Sequence, residues 1–229
     1  MSATSNATHV EIPHFLALTE RGNWDACGVV AELAALHACP WSGVKFPTAA
    51  SGPATVKAWR QQYVDAGHWR GGGCYLSDIY WHLTTHNRHV DAYLPYSDTP
   101  NLTALHTFIH TWTLKAHPVI IEVSNAAALP HNEQGVAYHF VCLGGIDSDA
   151  GYLVANGDTD AALTTTKLWV PTYWATWATL VRAGICGAIA INRDYTPPAP
   201  PPVPPIGLTA VITQAEALVA ALKAMTEVH

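Results

Sequence analysis

Cys27 stands where a reactive thiol is expected. It precedes Gly28 at the start of an Ala- and Leu-rich segment, CGVVAELAALHAC, which predicts a buried helix. Asp25 is a good N-cap residue, so Cys27 would lie in the first helical turn. A helix N-terminus lowers the pKa of a thiol, and the thiolate is the nucleophile. The pattern predicts that Cys27 attacks a carbonyl carbon, while Gly28 lets a substrate backbone approach the sulfur.

A base and a group that orients it are predicted in the second half of the chain. His139 interrupts the apolar strand YHFVCLGG, and Asn156 closes the next predicted strand, after the turn DSDAG. Adjacent antiparallel strands can place two such side chains on neighbouring positions of one face. We therefore expect His139 to accept the proton of Cys27, and Asn156 to orient the imidazole.

Three pieces of sequence resemble a known family. A Cys-Gly pair opens an apolar helix (DACGVVAELAAL), a strand reads HFVCLGGID, and the following strand ends in Asn. Together they resemble the papain-like cysteine peptidases, and in order and spacing they are similar to the bacteriocin-leader-processing branch and to related peptidase domains of phage lysins. The similarity covers about residues 23 to 158.

The resemblance implies both a fold and an activity. The fold would be α+β, with a nucleophile helix in an N-terminal helical half packed on a C-terminal antiparallel sheet. The activity would be hydrolysis of peptide or amide bonds. Bacterial cell-wall peptides are the expected substrate, cleaved by a phage lysin or a tail-associated endopeptidase. No cofactor and no metal ion are expected.

The chain departs from the family pattern near the nucleophile. Members usually have Asp immediately before the cysteine, where this chain has Ala26, and Gln six residues upstream, where it has Arg21. Asn23 is then the candidate oxyanion donor, beside the backbone N–H of Cys27. The branch often uses Asp as its third member, so Asp158 is the alternative to the asparagine.

Other residues have simpler interpretations. Trp24 is expected at the edge of the cleft as a substrate-binding residue. Cys39, Cys142 and Cys186 are expected in the core, and Cys74 is interpreted as structural.

Two alternative functions remain open. The chain could be a catalytically inactive binding or assembly module that keeps the fold. It could instead be a metal-dependent hydrolase built on histidine pairs at helical i, i+4 spacing. These pairs are His82 with His86, and His106 with His110. The HLTTH segment lacks the Glu that supplies the base in a zincin motif.

Composition limits the partners. The 229 residues have a net charge of -6 with scattered basic side chains, which argues against nucleic acid as the main partner. The N-terminal segment has no signal-peptide pattern, and the sequence has no apolar run of membrane-spanning length. We expect synthesis in the cytoplasm without membrane insertion, with action at the bacterial cell wall after release or within a phage particle.

The order of the predicted elements indicates an α+β fold. Helices are predicted at 27–39, 53–66, 76–85 and 102–115, and a Trp-rich helix lies further on. Strands are predicted at 89–93, 119–123, 137–146, 151–156, 168–170 and 187–192. The enzyme domain would occupy residues 1–196, a Pro-rich linker 197–206 and an amphipathic helical segment 207–229. That last segment is expected to dock on the chain or to mediate self-association.

Overall fold

A computed structural model describes residues 8–9, 15–16, 26–45, 52–130, 138–156, 169–170 and 172–196. The described residues up to 195 belong to one compact unit. The predicted linker and C-terminal helical segment lie outside the described residues, apart from a few positions before the linker, and both stay predictions.

The described part is an α+β structure. Its helices are α1 (Cys27–His37), α2 (Gly52–Asp65), α3 (Leu76–Thr85), α4 (Leu102–Leu114) and α5 (Trp177–Arg182). Its strands are β1 (Thr8–His9), β2 (Phe15–Leu16), β3 (Val90–Leu94), β4 (Val119–Val123), β5 (His139–Asp147), β6 (Gly151–Asn156), β7 (Trp169–Val170), β8 (Tyr173–Ala175) and β9 (Ile185–Ile191). The predicted fold class is confirmed, whereas the papain-like arrangement stays a prediction.

The main sheet is antiparallel throughout. Its strand order is β3-β9-β4-β5-β6-β8, and the short β1 also pairs with β5. β2 and β7 form a separate two-stranded sheet. The central strands β4 and β9 are buried along their whole length, so the sheet is covered on both faces.

Strand alternation sorts the core into two layers. Ile120, Phe140 and Cys142 pack with α1 on one face, which we call the α1 face. Their neighbours Ile121 and Val141 pack with α4 on the other, the α4 face. Because side chains alternate along a strand, parity assigns the residues of β4, of β6 and of β5 up to Leu143 to one of these faces, and a register shift in β5 follows Leu143.

The first helix is buried almost along its whole length and is tied to its neighbours by polar bonds. Glu32 accepts hydrogen bonds from Tyr63 Oη at 2.6 Å and Trp59 Nε1 at 2.9 Å, both from α2. His82 Nδ1 of α3 lies 2.7 Å from the same carboxylate. A buried carboxylate requires such partners, and these fix α1 relative to α2 and α3.

Several boundaries differ from the predictions. The N-cap position of α1 belongs to Ala26, not to Asp25, and Ala26 makes no side-chain capping bond. The Trp-rich segment was expected to be entirely helical, but its first part, β8, is an edge strand of the sheet and only α5 is helical.

Candidate active site

Cys27 is the first residue of α1, as predicted. Its side chain is partly exposed and packs at the border of the α1-face core. The backbone N–H groups of a first helical turn have no intrahelical acceptor, and together with the helix dipole they favour negative charge near the sulfur. The position therefore suits a thiol that reacts as thiolate.

Cys27 lies in the wall of a cavity of about 680 Å³ on the α1 face. The loop before α3 and the facing ends of three strands complete the wall. The described lining residues are Cys27, Arg70, Gly72, Gly73, Cys74, Tyr75, Leu76, Ser77, Tyr93, Pro95, Tyr96, Glu122, Tyr138 and Phe140. This cavity is large enough for several residues of a peptide.

A second, smaller cavity adjoins the first. It measures about 320 Å³ and shares Tyr96 and Tyr138 with the larger one. Asp98 lines it and accepts a hydrogen bond from the Tyr96 hydroxyl. Tyr96 and Tyr138 therefore belong to the walls of both cavities.

His139 and Asn156 contact each other as predicted. His139 Nε2 lies 2.7 Å from Asn156 Oδ1, and both side chains are buried. Because an amide oxygen only accepts, Nε2 carries the proton and Nδ1 is the free acceptor. Burial lowers the pKa of His139 to about 4, against a smaller raising effect of the bond to Asn156. The imidazole is therefore neutral at neutral pH.

Strand parity assigns His139 to the α4 face of the sheet. His139 has the parity of Val141 and pairs with Val123, and both of these belong to the α4 face. Asn156 pairs with Val141 and faces the same way. The catalytic pairing of His139 with Cys27 stays a prediction: parity assigns the imidazole to the α4 face, while His139 is the first residue of β5 and stands at the end of the sheet.

The residues that line the larger cavity agree with this strand parity. Phe140, the residue after His139, lines the cavity on the α1 face, and His139 is not among the described lining residues. Cys142 faces α1 as well, so the predicted divergence of Cys142 from His139 is confirmed. The parity of His139 thus differs from that of Phe140 and Cys142, which face α1.

Gly28 does not hold space open for a substrate. A Cβ at this position would lie 2.6 Å from Cys74 Sγ, 3.2 Å from Ile79 Cδ1 and 3.3 Å from Phe140 Cδ2. The space is filled by neighbours, and Gly28 is buried. The substrate-binding role expected of Gly28 is corrected: the glycine allows α1 to pack closely against Cys74 and β5.

The five thiols differ in environment. Cys39, Cys142 and Cys186 are buried, as predicted, and burial raises the pKa of each. Cys74 is partly exposed in the cavity wall, and its pKa is raised well above the usual value by burial first and then by the charge of Cys27. It is thus a cavity residue beside Cys27 rather than a core residue.

Three predicted site residues lie outside the described residues. These are the oxyanion candidate Asn23, the cleft-edge candidate Trp24 and the alternative third member Asp158. Their roles stay predictions.

Glu122 is a cavity residue that the sequence analysis overlooked. It interrupts the aliphatic strand VIIEV, pairs with Phe140 and has the parity of Ile120, so it faces α1. Burial raises its pKa to about 7, against a smaller lowering effect of the Leu76 backbone N–H. An acidic residue inside a fully aliphatic strand was a signal as clear as that of His139.

The histidine pairs do not form a metal site among the described residues. His82 Nδ1 faces Glu32, and His82 Nε2 lies 3.0 Å from Gln62 Oε1, so both ring nitrogens are engaged. His106 and His110 stand 5.8 Å apart between ring centroids on an outer face of α4. In the described ranges no group of three or more His, Cys, Asp or Glu side chains could hold a metal ion.

Comparison with protein-family models and with curated proteins finds no match for this chain. Within the described residues, no helix is both long and apolar enough to cross a membrane.

Proposed function

We propose that this chain is a cysteine hydrolase that cleaves peptide or amide bonds in the α1-face cavity, with Cys27 as nucleophile. The observation that carries the proposal is the partly exposed sulfur at the first residue of α1, in the wall of a cavity of about 680 Å³. The resemblance to papain-like cysteine peptidases points to the same residue.

The reaction divides into two steps. The Cys27 thiolate attacks the carbonyl carbon, the C–N bond breaks as the amine takes up a proton from water, and a thioester forms; the hydroxide left behind then attacks the thioester, which releases the carboxylic acid and regenerates the thiolate. In this proposal the backbone N–H of Cys27 holds the oxyanion, and Asn23 stays the candidate for a second donor. Helix α1, rather than His139, is the source of thiolate stabilisation in the arrangement described.

His139 and Asn156 take a structural part in this proposal. Their bond satisfies two buried polar groups on the α4 face and joins β5 to β6. An imidazole paired with an amide on adjacent strands is also the arrangement that the family resemblance implies, which supports membership of the papain-like superfamily as a proposal.

The proposed substrate is the peptide part of bacterial cell wall, acted on by a phage lysin or a tail-associated hydrolase. This substrate follows from the resemblance. Two adjoining cavities are compatible with an extended peptide.

Digestion of purified peptidoglycan tests the proposal. Wild-type protein should release new amino groups and peptide fragments of defined mass, and Cys27→Ala should release none. Cys39→Ala is the matched control, since Cys39 follows the same helix but is buried at its far end. Equal release by wild type and Cys27→Ala would refute the role of Cys27.

A binding module is the second candidate function. The observation that favours it is the parity of His139, which assigns the imidazole to the α4 face while α1 packs on the other face. In that case Cys27→Ala would bind intact peptidoglycan as well as wild type does in a pull-down assay, and neither protein would release amino groups.

A further inference from the structure

Glu122 is buried without a partner for one of its oxygens. The residue is 4% exposed. Within the described structure its Oε2 atom makes no hydrogen bond, and no salt bridge involves Glu122. Leaving a carboxyl oxygen unpaired in an apolar strand is costly. Natural structures keep such groups rarely, and a bound ligand is one reason to keep them.

The unpaired oxygen belongs to a residue that lines the larger cavity. Tyr93 lines the cavity near Glu122: burial first, and then the charge of Glu122, raises the pKa of Tyr93. Tyr75, Tyr96 and Tyr138 are exposed and line the same cavity. Aromatic faces carry partial negative charge and attract cations. A carboxyl group beside several tyrosines is a suitable environment for a positively charged group.

Arg70 is the only cationic side chain among the described residues that line the larger cavity, and it does not pair with Glu122. The Arg70 guanidinium lies over the Tyr75 ring at 5.2 Å, and its Nη2 is 4.0 Å from Asp78 Oδ1. These contacts place it at the loop side of the cavity, and no ion pair joins it to Glu122 in the described part of the chain. No described lining residue therefore balances the ionised form of Glu122, and a cationic ligand in the cavity would do so.

We propose that the cavity binds a protonated primary amine, which pairs with the carboxylate of Glu122 once that side chain turns its buried Oε2 toward the cavity, and which rests against the Tyr93 ring. The amine would be a lysine-like side chain or the free N-terminus of a peptide. The inference rests on the proposed function in taking this cavity as the substrate site. It names the feature by which that site would select among peptides, and it holds equally for a binding module.

Short peptides with matched side chains test the proposal. The probes are acetyl-Ala-Lys-Ala-amide, acetyl-Ala-norleucine-Ala-amide and Ala-Ala-Ala-amide, titrated against Cys27→Ala protein by ligand-observed NMR so that turnover cannot interfere. A charge-assisted hydrogen bond predicts about tenfold tighter binding of one or both amine peptides than of the norleucine peptide. The two amine probes distinguish a side-chain amine from an N-terminal amine.

Glu122→Gln, made in the same background, should remove most of that preference, and Asp65→Asn, an exposed acid on α2, should leave it unchanged. Equal affinity for the lysine, norleucine and free N-terminal peptides would overturn the proposal, as would a preference that survives Glu122→Gln. Because binding is measured without the nucleophile, failure here leaves the hydrolase proposal standing. Failure of the peptidoglycan digest leaves this one standing.

Discussion

Glu122 shows at the scale of one residue how burial without a partner alters a protein's response to pH. Its pKa in the folded chain is raised to about 7 from a usual value of 4.5, and burial is the main cause. The folded state thus holds a proton that the unfolded state loses between these pH values. The unfolding free energy should therefore fall as pH rises through this window. Above pH 7 the full cost of ionising the buried Glu122 carboxyl group is present.

Glu122→Gln should remove this cost. At pH 8 the variant is expected to be more stable than wild type by about 3 kcal/mol at most, and the difference should shrink toward pH 4.5. Urea unfolding at both pH values measures this difference in stability, and a difference that does not depend on pH would contradict the prediction.

His139 affects stability in the opposite direction, because its lowered pKa makes the unfolding free energy fall as pH drops from 6.5 toward 4.

At the scale of elements, the close packing of α1 on its neighbours depends on Gly28. Gly28→Ala would gain less than about 1 kcal/mol of helix propensity. The overlap with Cys74 Sγ at 2.6 Å should outweigh this gain and lower the unfolding free energy by roughly 1 to 3 kcal/mol. Urea unfolding of Gly28→Ala and of the same change in a Cys74→Ala background separates the two effects. An equal loss in both backgrounds would show that Cys74 is not the obstacle.

Elements with a clear period could be predicted to the residue. α3, β4 and β6 have the predicted bounds, because each is an amphipathic or aliphatic run bounded by turn residues. The short strand β8 could not be predicted, because its sequence YWA, in a Trp-rich segment, has no visible alternation of apolar and polar residues. Its strand conformation comes from pairing with β6, which is a tertiary contact.

The candidate site was predictable only in part for the same reason. Alternation showed that His139 and Asn156 could meet on adjacent strands, and they do. Alternation does not show which face of the sheet α1 covers. It divides the residues of a strand between two faces, but tertiary packing decides which of these faces a helix distant in sequence will cover. Cys27 was therefore placed correctly at the start of its helix, whereas the contact of His139 with Cys27 stays a prediction.

At the scale of the whole molecule, the sheet separates two groups of functional interest. The α1 face holds Cys27, Glu122 and the larger cavity, and the α4 face holds the bonded pair His139 and Asn156. A change in the buried pair should therefore act on stability and not on the sulfur.

Asn156→Ala tests this separation. The variant leaves the buried Nε2 of His139 without its acceptor, so the unfolding free energy should fall by about 1 to 3 kcal/mol. The alkylation rate of Cys27 should stay that of wild type under conditions where both proteins are folded. A slower alkylation of Cys27 in the variant would show that the pair acts on the thiol after all.

The central claim is that Cys27 is an activated thiol in an accessible cavity. The rate of its alkylation by iodoacetamide at pH 6.5, followed by peptide mass spectrometry against free cysteine in the same solution, tests that claim most directly. Stabilisation of the thiolate at the start of α1 predicts a rate about tenfold or more above that of the free amino acid, while buried Cys39 and Cys142 stay unmodified. A rate for Cys27 at or below that of free cysteine would contradict the account.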